Sequence, residues 1–195
     1  MSTIGVLEGR YERIQIAGSL LRGRPEVGDL ELLYIPRWEE RINVLPNPKA
    51  DLWGGPISVE EKVRVDLVGA WFREDLEREG AMFEKRLNKL GSPAGFGEQN
   101  KYLVHRETGL PVDVFTTEAR YWGMALFVRT GPAEWNIAAM AALRRLGKRG
   151  HMSGGIFRPD RGLIDCPTEE VVFEELGLRW LAPNERDLWI LQRIG

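Results

Sequence analysis

Residues 13–35 read Arg13-Ile-Gln-Ile-Ala-Gly-Ser-Leu-Leu-Arg-Gly-Arg-Pro-Glu-Val-Gly-Asp-Leu-Glu-Leu-Leu-Tyr-Ile35, and this stretch sets the organisation of the chain. Its apolar residues between 14 and 17 predict a strand that stops at Gly18-Ser19. A short helical turn follows over 20–22, and the next glycines and proline direct the chain into a second strand. Because that strand opens with Asp29-Leu30-Glu31, the predicted local order is strand, helical turn, strand.

Two carboxylates mark the start of the second strand. Side chains two positions apart on a strand share a face, so Asp29 and Glu31 point the same way. They repel each other unless a cation lies between them, and a divalent ion meets that need. Gly18-Ser19 supplies close backbone approach and the unpaired amides of a helical turn, which favour anions. The stretch therefore predicts a metal ion beside a triphosphate.

This pattern resembles the signature of the nucleotidyltransferase superfamily, Gly-Ser followed by Asp-x-Asp or Asp-x-Glu on a strand. The form Ala-Gly-Ser-Leu-Leu-Arg-Gly-Arg-Pro-Glu-Val-Gly-Asp-Leu-Glu is most similar to family X DNA polymerases, the group that includes polymerase beta. The resemblance implies that Asp29 and Glu31 bind two magnesium ions, or manganese in their place. It also implies that Gly18, Ser19 and Arg22 hold the phosphates of a nucleotide.

Composition narrows the class of protein. The chain has 195 residues, enough for a substantial core, and its 43% hydrophobic and 29% charged residues are ordinary for a globular protein. We expect a protein of the cell interior, since we find neither a signal peptide nor an apolar run of membrane-spanning length. The single cysteine, Cys166, excludes an internal disulfide, and His105 and His151 are far apart in sequence. Any metal is therefore expected on carboxylates, which favours magnesium or manganese.

Charge is unevenly distributed along the chain. The net charge is -2, which argues against nucleic-acid binding over the whole surface. Residues 101–165 nevertheless carry a net charge of +4. Such a stretch suits a local groove for a polyanion, although an ordinary surface would look the same.

The segment between residues 36 and 90 has the weakest resemblance. Prolines and glycines predict a loop excursion over 36–57. Ser58-Val-Glu-Glu61 has the form of a capping box, and apolar residues at helical spacing predict a helical segment over 58–90. The charged residues of 74–79 are interpreted as the solvated face of that helix.

Residues 101–115 predict a hairpin with its turn at Glu107-Thr108-Gly109. In its second strand, Asp113 lies between two valines. By sequence alone it could face water at a sheet edge. Family X polymerases carry their third catalytic carboxylate in this setting, so the resemblance implies that Asp113 completes the metal site. Lys101 is a looser match to the lysine of the family's hairpin, and we expect it to contact DNA.

The next block reads Tyr121-Trp-Gly-Met-Ala-Leu-Phe-Val-Arg-Thr-Gly-Pro-Ala-Glu-Trp-Asn136. Its apolar run 124–128 predicts a buried strand, and Pro132 predicts the start of a helix that ends at Gly147. The block resembles the junction between palm and thumb in family X, which implies that Thr130, Gly131 and Asn136 hold the sugar and base.

The same block departs from the family pattern. Val128 and Arg129 stand where the family has two aromatic residues. We therefore expect Arg129 to contribute positive charge toward the nucleotide or the template. Met140 stands where polymerase beta has an arginine that contacts the template.

The resemblance covers most of the chain, because Ile156-Phe-Arg-Pro159 and 167–187 match the family's last strand, closing helix and tail. It implies an α+β fold, with a nucleotidyltransferase palm at 1–129, a mixed sheet flanked by helices, and a small α/β thumb at 130–195. The lyase and helix-hairpin-helix domains of larger members are missing, as in the minimal viral enzymes of the family.

The function expected from this resemblance is a DNA polymerase that adds dNMP from dNTP to a primer 3′-hydroxyl on a primer-template or gapped duplex. We expect a monomer that acts in the cytoplasm, and a virus or phage is one source that the resemblance allows. An accessory DNA-binding partner is also expected. The alternatives are a template-independent terminal transferase, a nucleotidyltransferase with another acceptor, and a non-enzymatic DNA-binding module. The basic residues assigned to DNA are Lys101, Arg144, Arg145, Lys148, Arg149 and Arg158; a solvated helix end is an equal interpretation of 144–149.

Overall fold

The computed structural model describes residues 5–50, 56–151 and 154–194. It contains strands and helices in the following chain order: β1 (Tyr11–Ile16), α1 (Gly18–Leu21), β2 (Leu30–Pro36), β3 (Trp38–Ala50), β4 (Pro56–Asp66), α2 (Leu67–Glu77), β5 (Phe83–Lys85), β6 (Asn100–His105), β7 (Pro111–Thr116), α3 (Trp122–Thr130), α4 (Ala133–Arg145), β8 (Arg149–Gly150), β9 (Ile156–Arg158), β10 (Gly162–Ile164), α5 (Glu169–Glu175) and α6 (Leu188–Gln192).

A five-stranded sheet forms the first part of the molecule, in the order β1-β2-β7-β6-β5. β2 and β7 run parallel, whereas the other neighbours are antiparallel, so the sheet is mixed. The mixed sheet flanked by helices confirms the predicted α+β class.

Alternation along the strands gives the sheet two buried faces. One face carries Leu32, Tyr34 and Val114, which pack against Val68 and Phe72 of α2. The opposite face packs against α3 in a cluster of Ala17, Leu33, Ile35, Phe115, Trp122, Ala125 and Leu126. The carboxylates of β2 and β7 lie on this second face, because Glu31 and Asp113 are two positions before Leu33 and Phe115.

A second core lies beyond α3. Met124, Phe127 and Val128 point away from the sheet and pack with α4, α5 and β9. Gly123 brings α3 close to the start of α5, since a Cβ there would lie 2.0 Å from the Thr168 backbone. The predicted boundary between residues 129 and 130 falls in the last turn of α3. Two separate domains therefore remain a prediction.

The segment 36–90 differs from the prediction. The expected loop is a long antiparallel ribbon of β3 and β4, with residues 51–55 outside the described part of the chain. The expected helix begins only at Leu67, where the Asp66 carboxylate accepts a hydrogen bond from the Val68 amide at 3.0 Å. It ends at Glu77, and the chain continues as the edge strand β5.

Asp75 is a further correction within α2. It was expected on the solvated face, yet it is 2% exposed. Its carboxylate accepts hydrogen bonds from the amides of Met82 and Phe83 at 3.2 and 2.9 Å. The side chain therefore joins the helix to β5.

The run 124–128 is helical rather than a strand. All residues of α3 except Arg129 are buried, because the helix packs against the sheet on one side and the second core on the other. Such a helix lacks a polar face, so its sequence looks like a buried strand.

The other local predictions are confirmed: the order β1, α1, β2, the β6–β7 hairpin, the helix after Pro132 and the closing helix α5. In the part of the chain that the structure describes, no helix has both the length and the apolar character needed to cross a membrane.

Candidate active site

The connection from β1 to β2 places Glu31 against Gly18. The Ala17 amide donates to the Glu31 carbonyl at 2.9 Å, which joins the end of β1 to the start of β2. Gly18 has a φ of +68° at the first position of α1. An added Cβ would lie 1.8 Å from Glu31 Oε2, so only glycine leaves room for that carboxylate.

A row of paired residues crosses the sheet at this point. Glu31 is opposite Asp113 in the parallel β2–β7 pair, and Asp113 is opposite Tyr102 in the β6–β7 pair. Arg86, the residue directly after β5, is the next member of the row, because its amide donates to the Tyr102 carbonyl at 3.0 Å. Paired residues share a face of the sheet, so all four side chains lie on the face that α3 covers. The structure thus brings together two carboxylates that are far apart in sequence.

The electrostatics of this row show an excess of negative charge. Burial raises the pKa of Glu31 to about 7, and the charges of Asp29 and Asp113 contribute. Burial also raises the pKa of Asp113, and Asp29 adds to that effect, while Arg86 opposes it. The charge of Asp29 therefore acts on both Glu31 and Asp113, while a shared metal site remains a prediction.

Two arginines offset part of this charge. Arg86 Nη1 lies 2.8 Å from Asp113 Oδ1, and its Nη2 donates to Oδ2 at 3.3 Å. Arg129 lies over the ring of Phe115, 3.5 Å from its centroid. Its positive charge opposes the rise in the pKa values of Glu31 and Asp113. Sequence reasoning missed Arg86, because the residue lies in the segment expected to be helical and contacts Asp113 across β6.

The donor chemistry of the three carboxylates fits a magnesium or manganese ion. Across the described residues 5–50, 56–151 and 154–194, no group of three or more Asp, Glu, His or Cys side chains converges as a finished metal-ligand set. Arg86 pairs with Asp113, and Glu31 lies against Gly18. Carboxylate oxygens are hard ligands of the kind that divalent cations prefer.

The predicted phosphate and sugar residues meet on the same side of the sheet. Arg22 Nη1 donates to the carbonyl of Thr130, although the two residues are far apart in sequence. This contact links α1 to the end of α3.

Four of the predicted nucleotide-binding residues contain a buried polar atom that lacks a hydrogen-bond partner. The atoms are Ser19 Oγ, Arg22 Nε, Thr130 Oγ1 and Asn136 Oδ1. Buried polar groups are normally paired, so each such atom calls for an explanation. Trp122 Nε1 and Trp135 Nε1, in the two cores, are unpaired in the same way.

Asn136 also has a structural contact. Its Nδ2 donates to the carbonyls of Val128 at 2.6 Å and Gly131 at 3.4 Å, closing the turn between α3 and α4. Contact between Asn136 and a base remains a prediction. Oδ1 is the side-chain atom of Asn136 that has no hydrogen-bond partner.

Lys101 requires a correction. It was expected to contact DNA, but the side chain is only 1% exposed. Its Nζ donates to Tyr34 Oη and the Glu98 carbonyl, both at 2.9 Å, and lies 3.5 Å from Asp66 Oδ2. Lys101 is therefore a buried residue whose ammonium group is bound by other groups of the protein.

The remaining basic residues assigned to DNA divide by their contacts. Lys148 and Arg158 lie 2.9 and 3.3 Å from the carboxylate of Glu175. Arg145 donates to the carbonyls of Leu191 and Ile194, which holds the end of α6. These three side chains stabilise the second core.

Arg144 and Arg149 are exposed, with contacts to the Met140 carbonyl and the Phe157 ring respectively. Their guanidinium groups have no carboxylate partner among the described residues. DNA binding by any of these residues remains a prediction.

A cavity of about 520 Å³ lies at the other end of the parallel strands. Trp38, Asp66, Lys101 and Thr116 are among its lining residues, and none of the three carboxylates takes part. The candidate site thus lies outside this cavity.

No known family model matches this sequence, and no curated protein is significantly similar to it. What is established is a mixed α+β fold in which Glu31 and Asp113 lie opposite each other on neighbouring parallel strands.

Proposed function

We propose that this chain is a nucleotidyltransferase of the family X DNA polymerase type, which transfers dNMP from dNTP to a primer 3′-hydroxyl. The observation that carries the proposal is the parallel register that pairs Glu31 with Asp113. The motif in β1–β2 and the strand of Asp113 were assigned separately from sequence. Their side-by-side position is what a shared metal site needs.

Each part of the site has a role in this reaction. Ser19, Arg22 and the backbone of Gly18 bind the β- and γ-phosphates, which leave as pyrophosphate when the α-phosphate is transferred, since a guanidinium and helical-turn amides suit phosphate oxygens. Thr130 and Asn136, whose Oγ1 and Oδ1 lack a hydrogen-bond partner, would hold the sugar and base.

Asp29, Glu31 and Asp113 would hold two magnesium ions, with manganese as an alternative. Bound ions would neutralise the triphosphate and make the primer hydroxyl easier to ionise. Asp113 would accept the proton of that hydroxyl as general base. Arg129, beside Glu31 and Asp113, contributes positive charge toward the nucleotide.

The test is primer extension with magnesium on a one-nucleotide-gapped duplex and on a single-stranded primer, with each dNTP supplied singly. We expect template-directed incorporation that Asp29→Ala, Glu31→Ala and Asp113→Asn each abolish. Glu107→Ala is the matched control, because this exposed residue lies at the turn of the hairpin that carries Asp113. Wild-type activity in Asp113→Asn would remove that residue from the site.

The alternatives give different results in the same assay. Incorporation on the single strand alone would indicate a terminal transferase. No incorporation on DNA, with Mg-dNTP still bound, would direct the search to RNA ends, proteins or small molecules as acceptors. Failure to bind Mg-dNTP would favour a DNA-binding module without catalysis.

A further inference from the structure

The cavity of about 520 Å³ lies outside the carboxyl ends of two neighbouring parallel strands. Pro36 ends β2 and Thr116 ends β7, and both residues line the cavity. In open sheets with parallel strands, ligands bind in the crevice at this end of the strands. Small-molecule sites have volumes of about 300–1,000 Å³. The cavity therefore has both the position and the size of a small-molecule site.

Part of the lining is apolar. Ile35, Pro36, Trp38 and Val65 contribute to it, and Trp38 is 44% exposed. Arg64 Cζ lies 5.0 Å from the centroid of the Trp38 ring, so a guanidinium and an aromatic surface are close together. An apolar group of a ligand gains free energy by covering such an exposed ring.

The buried charges of the lining compensate each other. Lys101 Nζ lies 3.5 Å from Asp66 Oδ2, and the lysine side chain is 1% exposed. Burial lowers the pKa of Lys101, and the positive charge of Arg73 adds to that effect. Arg73, an exposed residue of α2, therefore acts on the buried part of the cavity.

Four other charged side chains of the lining are exposed and lack an ion-pair partner. Glu118 is not one of them, because it pairs with Arg120 at 2.8 Å. The four are the guanidinium groups of Arg64 and Arg73 and the carboxylates of Glu12 and Glu98, none of which forms an ion pair with another described residue. The lining thus offers two cations and two anions to a ligand.

This charge balance separates the possible classes of ligand. An anion alone would be attracted by the two arginines but repelled by the two glutamates, and the reverse holds for a cation alone. A ligand with one carboxylate and one ammonium group can pair with both signs. A guanidinium also matches a carboxylate in two parallel hydrogen bonds.

We propose that this cavity is a second binding site, which takes a free α-amino acid with a large apolar side chain. Arg64 and Arg73 bind its carboxylate, and Glu12 and Glu98 bind its ammonium group. The apolar lining around Trp38 packs against its side chain. The site is independent of the proposed nucleotidyl transfer.

The test is isothermal titration calorimetry of the wild-type chain with L-phenylalanine and two analogues at about pH 6, where the amines are protonated. L-Phenylalaninamide lacks the carboxylate, and 3-phenylpropionate lacks the ammonium group. We expect L-phenylalanine to bind about tenfold more tightly than either analogue, because each analogue loses one set of charge-assisted hydrogen bonds. Glycine, which lacks the apolar side chain, should also bind about tenfold more weakly than L-phenylalanine.

Three results would overturn the proposal. Equal or tighter binding of 3-phenylpropionate would indicate an anion site, and equal or tighter binding of L-phenylalaninamide would indicate a cation site. Absence of L-phenylalanine binding would show that the cavity does not bind amino acids. The comparison of ligands needs no variant, so it decides even where a variant fails to fold.

Two double variants assign the charged groups. Arg64→Gln/Arg73→Gln should weaken L-phenylalanine and 3-phenylpropionate about tenfold without weakening L-phenylalaninamide. Glu12→Gln/Glu98→Gln should weaken L-phenylalanine and L-phenylalaninamide without weakening 3-phenylpropionate. An equal loss for all three ligands in either variant would show a general structural effect and contradict the assigned roles.

Matched controls remove the same charges at exposed positions outside the cavity lining. Arg144→Gln/Arg179→Gln is the control for the arginines, and Glu107→Gln/Glu174→Gln is the control for the glutamates. Both should bind L-phenylalanine as wild type does. A loss of affinity in the controls as large as in the cavity variants would show that net charge, and not the cavity, decides binding.

The outcome is distinguishable from that of the proposed function. Arg64→Gln/Arg73→Gln should keep wild-type primer extension, because neither residue belongs to the proposed active site. L-Phenylalanine binding without nucleotide transfer on any acceptor would support the cavity site and overturn the proposed function alone. Nucleotide transfer without L-phenylalanine binding would overturn the cavity site alone.

Discussion

Glu31 combines a half-buried position with two acidic neighbours, so its ionisation opposes folding. Its pKa is raised from 4.5 to about 7 in the folded chain. The folded state therefore keeps a proton that the unfolded state has lost, and stability falls as pH rises between those two values. We expect a bound cation to offset this cost.

Replacing Glu31 by Gln should remove this cost. We expect Glu31→Gln to be more stable than wild type at pH 8 without metal by about 1–2 kcal/mol, after allowance for solvent screening, and to match wild type near pH 4.5. Urea unfolding at both pH values with EDTA measures the difference. Glu12→Gln, at an exposed position of β1, is the control. An equal pH dependence in Glu31→Gln and wild type would contradict the assignment.

Gly18 and Gly23 share a backbone conformation but differ in surroundings. Both have a φ of +68°, whereas only a Cβ at Gly18 would meet a neighbour, the Glu31 carboxylate. We expect Gly18→Ala and Gly23→Ala to lose similar stability, about 1–2 kcal/mol, because alanine is strained at positive φ. Only Gly18→Ala should also lose nucleotide incorporation, about 100-fold, by displacing the carboxylate proposed to be catalytic. Thermal unfolding and primer extension separate the two effects. Equal activity in both variants would refute the role of Gly18.

Among the helices and strands, sequence predicted best where local chemistry decides the structure. The glycines of the β1–β2 connection, the turn at Gly109 and the proline before α4 each fix a local conformation, and those elements are confirmed. The two carboxylate-bearing strands were also recognised, because each carries a short motif.

The errors came from patterns that fit two structures. The segment from Ser58 has both a capping-box pattern and valines that alternate up to Val65, and the structure chose the strand because β3 pairs with it. The buried helix α3 has no polar face to reveal its period. The contacts of Arg22 with Thr130 and Arg86 with Asp113 join distant parts of the chain, so no local signal predicts them.

The start of α2 depends on the buried ion pair of Asp66 and Lys101. Asp66 caps the helix through Val68 and accepts a hydrogen bond from Tyr34. We expect Lys101→Met to destabilise the protein by about 3–5 kcal/mol, since it leaves a buried carboxylate without its cation. Chemical unfolding measures this loss, with the exposed Lys89→Met as the control. A loss below 1 kcal/mol would show that Asp66 does not need the lysine. DNA affinity of the folded variant should stay at the wild-type value.

For the molecule as a whole, charge limits how DNA can be bound. The net charge is -2. Several basic side chains in the 101–165 stretch form ion pairs with Glu175 or Asp66, or donate hydrogen bonds to carbonyls at the end of α6. We therefore expect weak DNA binding with few phosphate contacts, and an accessory partner would be needed for tight association.

Arg144 and Arg149 are the exposed basic residues of that stretch best placed for such contacts, because neither forms an ion pair with another described residue. Each phosphate contact contributes about 0.9 to the slope of log K against log salt concentration. The double variant Arg144→Ala/Arg149→Ala should therefore lower that slope by about two and weaken binding to gapped duplex, with an unchanged melting temperature. Fluorescence anisotropy at several salt concentrations measures the slope. Arg73→Ala/Arg179→Ala, which removes the same charge from two other exposed positions, is the control. Equal slopes for the two double variants would show that binding follows net charge alone, and that the end of α4 does not line the duplex.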